Sequence, residues 1–224
     1  MVNDPGIRIG SVWPRRWFVA FFALLILPNP GAWAQGGPRI YKQGPLSFRE
    51  FLAAPPAGVA FDAETNTHLK YDYRYRTLTR GGSTTFTLTK ITFRAELDPA
   101  KSWTKRPQDV ELLRHEQGHF DITEVIQRKA ALEWQSQIGK LSIRASSMAE
   151  GKKEFDQLIR QRMEPYLQRL VRFQKQYDVD TNHGRNAERQ KQWQQVLARL
   201  LENPEGAFPL APEAAPAPGL NPTR

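Results

Sequence analysis

Apolar residues change their spacing once along this 224-residue chain, and that change restricts it to an α+β fold. From His68 to Arg76, Leu69, Tyr71, Tyr73 and Tyr75 alternate with charged residues, which is the two-residue period of a half-buried strand. Arg80-Gly81-Gly82-Ser83 supplies a turn. Thr84 to Leu97 then sets Phe86, Leu88, Ile91 and Phe93 among threonines, a composition suited to a second antiparallel strand or pair. Asp98-Pro99 ends this small meander, and beyond it the period lengthens.

After Pro107 the candidate core positions Val110, Leu113, Ile122, Val125, Ile126 and Leu132 fall at helical spacing. A polar break at Gly139 to Ser147 separates this first long helix from a second. The second runs from Met148 to Tyr177 despite Pro165, with Phe155, Leu158, Ile159, Met163, Tyr166, Leu167, Leu170 and Phe173 as its apolar stripe. A third helical segment spans about Asn186 to Leu201. The expectation is one domain in which a small antiparallel sheet packs on a long helical hairpin.

Both ends of the chain differ from this middle. Arg8, Arg15 and Arg16 precede the apolar run Trp17 to Leu27, which breaks at Pro28, Asn29, Pro30 and Gly31 and leads to Ala32-Trp33-Ala34. A charged segment, a short apolar segment and a small-x-small site describe an export signal cleaved after Ala34, whereas a membrane-spanning helix needs about 20 apolar residues in a row. An uncleaved anchor is the alternative, and Arg15-Arg16 is a weak twin-arginine feature. The expected organisation is a signal peptide over 1–34, a lead-in over 35–44, the domain over 45–203 and a disordered tail over 204–224. The tail carries six prolines between Pro204 and Pro222.

Composition narrows the chemistry. The chain has no cysteine, so an exported form is stable without disulfides and any metal is held by histidine and carboxylate. The net charge is +9, and removal of the signal leaves 29 basic and 22 acidic residues, or +7. A basic balance admits nucleic acid or an anionic envelope surface as partner. Along the helical half Lys and Arg are interspersed with Glu, Asp and Gln and form no compact basic block with aromatics, so they read as a solvated face, with no nucleic-acid partner and no membrane span after cleavage.

The chemistry concentrates at His115-Glu116-Gln117-Gly118-His119, an H-E-x-x-H pattern inside the first helix. Residues four apart stack on one helix face, so two imidazoles converge on one ion. Zinc takes neutral imidazole nitrogen and leaves a position open for water in catalytic sites, and Glu116 is then placed as general base. The competing reading is a pair of ordinary helix-face histidines with a surface acid.

A third ligand is needed. His68 and His183 are the remaining histidines, and Glu150 and Glu154 are carboxylate options. An antiparallel helix pair returns Tyr177 to Gly184 toward the motif while leaving Glu150 and Glu154 far from it, so His183 is the expected ligand. The acid-rich turn Tyr177 to Gly184 offers Asp178 or Asp180 to accept the second imidazole proton. Tyr177 and Arg185 lie near enough to be oxyanion stabilisers, although loop packing is the plainer reading. His68 reads as a strand-end histidine. Gly118 lies mid-helix at a cost of about 1 kcal/mol against Ala, which points to a close approach or to simple tolerance.

Over Leu112-Leu113-Arg114-His115-Glu116-Gln117-Gly118-His119-Phe120-Asp121-Ile122 the sequence resembles a bacterial family of predicted secreted zinc-dependent proteases, catalogued as a domain of unknown function. Pro45-Leu46-Ser47-Phe48, Ser102-Trp103, Tyr177-Asp178 and Thr181-Asn182-His183-Gly184 extend the resemblance over about residues 45 to 195. It implies a zinc-metallopeptidase-like site on His115, Glu116 and His119, with His183 at the position of the family's later histidine motif. The longer H-E-x-x-H-x-x-G-x-x-H pattern is absent, because Ile122 and Val125 occupy its glycine and third histidine positions. The expected activity is exported zinc-dependent hydrolysis of peptide or amide bonds in the cell envelope. A non-catalytic metal-binding envelope protein and a helical interaction module are the alternatives.

Overall fold

The computed structural model describes residues 37–206, so the expected signal segment and most of the expected tail lie outside the described residues. Its elements run β1 (Arg39–Ile40), β2 (Ala63–Glu64), β3 (Thr67–Arg80), β4 (Ser83–Leu97), β5 (Trp103–Thr104), α1 (Val110–Gln135), β6 (Ser142–Ala145), α2 (Met148–Thr181) and α3 (Ala187–Glu202). This is the expected α+β architecture. No helix among the described residues is long and apolar enough to cross a membrane.

The β3–β4 hairpin is the base of the sheet. Gly81 and Gly82 both take positive φ (54° and 76°), the backbone that a two-residue turn requires if it is to match the twist of the strands it joins. The ladder pairs Thr67 with Leu97 at one end and Arg80 with Ser83 at the other, with one irregularity between Arg74 and Tyr75. Alternation holds as expected: Leu69, Tyr73 and Tyr75 are buried, while Asp72, Arg74 and Arg76 are exposed.

Two further strands flank β4. The first, β6, falls within the stretch expected to be a polar break and pairs Thr84–Thr87 with Ala145–Ser142. Its Ser-Ile-Arg-Ala alternation is too short to stand out from a loop, and β4 supplies the missing hydrogen bonds. The second, β1, pairs Arg39 with Leu97 and lies inside the expected lead-in. Arg39 is buried and donates to Glu50 and to the carbonyls of Ile40, Gly44 and Pro45, which ties the following segment up to Glu50 onto β1.

The α1 and α2 helices cover one face of the sheet, and α3 packs against both of them. Ile122, Val125, Ile126 and Ala130 of α1, Phe155, Ile159 and Met163 of α2, and Leu197 of α3 meet Phe86 and Leu88 in one core cluster. Val110 and Leu132 were expected in this core but are exposed; they lie in the first and last turns of α1, on either side of the stretch that packs on the sheet. A second cluster of Leu46, Phe51, Ala95, Leu97 and Phe120 seats the N-terminal segment against α1.

The α2 helix runs four residues beyond its expected end. Tyr177 and Thr181 are fully buried, and that packing draws Asp178, Val179 and Asp180 into helix although Asp, Val and Thr are weak helix formers. Asn182 caps the helix in the left-handed conformation (φ 49°), and His183 follows it there (φ 52°).

Candidate metal centre

The α1 helix starts at its N-cap, Asp109, whose Oδ1 accepts from the amides of Glu111 and Leu112. Further along, His115 and His119, one turn apart, lie on the buried face with their rings edge to face and centroids 4.8 Å apart. Their Nε2 atoms are 3.2 Å from each other and 3.2 and 3.0 Å from Oδ1 of Asp178. His115, His119 and Asp178 each offer a ligand atom within 4.8 Å of the other two, so this buried group could hold a metal ion.

Hydrogen bonds on the far side of each ring set which nitrogen faces the centre. Gln174 donates its Nε2 to the His119 carbonyl (2.9 Å), which fixes the amide orientation and leaves Gln174 Oε1 to accept from His119 Nδ1 (2.5 Å). Thr181 donates its hydroxyl to the Tyr177 carbonyl (2.7 Å), so its oxygen is free to accept from His115 Nδ1 (3.4 Å). Both rings therefore carry a proton on Nδ1 and turn Nε2 toward Asp178. Such outer partners orient imidazole ligands in metal sites generally.

The electrostatics match this arrangement. Burial pushes the His115 pKa down against the Asp178 hydrogen bond. Burial also works against a charged His119, but Asp178 and Glu116 outweigh it and lift its pKa to about 8. Asp178 is held well below the usual carboxylate range, because bonds to the two imidazoles exceed its own burial cost. Two imidazole nitrogens and a carboxylate oxygen facing one another form a donor set that could hold a metal ion.

Glu116 is buried beside the pair, and burial raises its pKa. Its Oε2 accepts from the Thr65 hydroxyl at 2.5 Å. These residues line a cleft of about 470 Å³ between residues 61–67 and the α2 face carrying Leu170, Val171, Gln174, Lys175 and Asp178.

The other expected site residues fall as follows. His183 stands beside the cluster, its Nδ1 3.3 Å from the same Asp178 oxygen and its ring stacked on Phe61. Asp178, expected on a loop as an outer partner, sits on α2 with its oxygen among the three converging atoms. Asp180 points elsewhere and accepts from Gln176 and from the Trp193 indole. Tyr177 packs under the site, its ring 4.7 Å from that of His115 and its hydroxyl donating to the His115 carbonyl. Arg185 faces Asp62. His68 pairs with Glu96 in the hairpin, as a strand-end histidine does. Glu150 accepts from Ser146 at the start of α2.

Sequence reasoning missed Thr65, Gln174 and Thr181. For the last two a signal existed: 174, 178 and 181 share one face once α2 is extended past Tyr177. Thr65 carried none, because nothing local in a loop marks its contact with a residue 51 positions away.

A family described as bacterial protein of unknown function (DUF922) matches residues 49–184. The chain belongs to that family. The span matched to DUF922 contains Thr65, His115, Glu116, His119, Gln174, Asp178, Thr181 and His183, so the whole centre lies within it. No curated protein and no solved structure matches the chain.

Proposed function

We propose that this chain is an exported zinc-dependent hydrolase of peptide or amide bonds, with His115, His119 and Asp178 as metal ligands and Glu116 as general base. The observation that carries the reading is the convergence of two oriented imidazoles and a carboxylate on the wall of a cleft that a buried glutamate, Glu116, also lines. His183, beside Asp178 and reaching the cleft, adds a polar contact that a ligand or substrate can use.

A zinc ion held by His115, His119 and Asp178 would polarise the scissile carbonyl as a Lewis acid and acidify water. Glu116 takes the proton from the water whose oxygen bonds to the carbonyl carbon, then returns it to the departing amine as the C–N bond breaks. Its raised pKa suits both transfers, because the carboxylate accepts the proton readily and holds it until the amine leaves. Thr65 fixes the carboxylate, and Gln174 and Thr181 hold the imidazoles.

Glu116→Gln is the test. Zinc-loaded wild type is expected to cleave an unfolded protein substrate, and the variant to keep zinc while losing at least 100-fold in rate. Zinc-loaded wild type that binds metal and cleaves neither protein nor peptide would make this a non-catalytic metal-binding protein. Purified protein that takes up no metal would remove both readings.

A further inference from the structure

The sheet face opposite the helices gathers cations that are scattered along the sequence. Following the register, its outward rows are Arg144 with Thr85 and Leu78, then Arg76 with Thr87, Arg74 with Lys90, Asp72 with Thr92, and Lys70 with Arg94. Arg74 and Lys90 stand directly opposite as like charges, as do Lys70 and Arg94, a pairing that destabilises an antiparallel ladder. The two acids on this face, Asp72 and Glu96, are both taken by Arg94. Among the described residues, Lys70, Arg74, Arg76, Lys90 and Arg144 make no ion pair.

Among the described residues, Asp72 and Glu96 are the acids that face these cations, and the sequence outside the described residues is poor in acids. Residues 207–224 contain one acid, Glu213, against Arg224, and residues 1–36 contain Asp4 alone against three arginines. A second copy presenting the same face would set cation against cation. The aromatic side chains of the hairpin point into the core or its margin, so the face offers no stacking platform for nucleic-acid bases. It offers instead five cations, the hydroxyls of Thr85, Thr87 and Thr92, and Leu78, half-exposed near the hairpin tip. Rows of cations and hydroxyls suit closely spaced phosphates on a plane, and an exposed apolar residue at the end suits the headgroup boundary.

We propose that the outer face of the β3–β4–β6 sheet docks this protein on a membrane surface rich in anionic phospholipid. The inference stands apart from the hydrolase reading, because none of these residues touches the cleft. The like-charge pairs cost folding stability and are neutralised on docking.

The test is co-sedimentation of the full chain with vesicles of phosphatidylglycerol and phosphatidylcholine, or of phosphatidylcholine alone, which registers any contribution from the apolar stretch near the N-terminus. Wild type is expected to bind the anionic vesicles at least tenfold more tightly, with the difference lost at 0.5 M NaCl. Arg74→Glu creates a cross-strand pair with Lys90, so it is expected to raise the melting temperature while weakening vesicle binding severalfold; R74E/R76E/K90E is expected to abolish the preference. Lys153→Glu with Lys191→Glu, on α2 and α3, is expected to leave it intact. Equal binding to both vesicle types, an unchanged preference in the folded Arg74→Glu variant, or equal loss with the helix variants would overturn the proposal. So would selective capture of DNA or an acidic peptide without lipid preference.

Discussion

Gly118 lies between the two histidines of the motif for a steric reason. A Cβ built there would stand 2.3 Å from the Tyr177 hydroxyl, and that tyrosine is fully buried under both rings. Gly118→Ala must therefore move Tyr177 or the helix, and overpacking of this kind costs about 1–3 kcal/mol. Urea unfolding is expected to register that loss, and the displaced Tyr177 is expected to weaken zinc binding. An unchanged midpoint would mean that Tyr177 does not pack there. Thr65 calls for a different readout. Thr65→Val keeps the shape and removes the hydroxyl that Glu116 accepts from. The expected outcome is a loss of about 10-fold or more in kcat with zinc affinity unchanged, and recovery in Thr65→Ser. Equal loss of zinc in both variants would assign Thr65 to folding alone.

At the scale of elements, α1 carries two duties: its middle faces the sheet core and its first turns carry the motif. Asp109 holds its start, so Asp109→Ala is expected to lower unfolding free energy by about 1 kcal/mol, read by thermal melting. The α2 helix delivers its function at its end. Tyr177 and Thr181 anchor the last turn, and Asp178 follows from their burial. The sequence around 177–184 reads as an acid-rich turn because Asp-Val-Asp-Thr has weak helix propensity and is followed by Asn-His-Gly, a stop signal. That stop signal is real, but the helix reaches it before ending. The four extra residues turn Asp178 from an expected outer partner into one of three converging groups.

For the whole molecule, the centre joins α1 to the last turn of α2, so a metal bound there ties two elements together. Zinc is expected to raise the melting temperature in a concentration-dependent way and a chelator to reverse it, because an ion that binds only the folded chain stabilises by mass action. The pH dependence has a definite sign. Without metal the His119 pKa is about 8, so its Nε2 is protonated at neutral pH, and zinc must displace that proton. Zinc affinity is therefore expected to rise with pH from 6 to about 8 and to level off above it, with proton release measurable by calorimetry in two buffers. Affinity that does not vary over this range would exclude His119 as a ligand.

The sequence alone determined the features whose causes are local. Two-residue alternation made the β3–β4 hairpin, helical spacing made α1, α2 and α3, and a four-residue interval put His115 and His119 on one face beside Glu116. Tertiary structure decided the rest, because it depended on groups distant along the chain. The burial of Tyr177 carried α2 far enough to present Asp178, the contact with Tyr177 demanded glycine at 118, and Thr65 reached Glu116 from a loop. Five cations dispersed between residues 70 and 144 became one face, unpaired among the described residues, only when strand register set β3, β4 and β6 side by side. Periodicity specifies which way a side chain points from its own element, and packing alone specifies what it meets there.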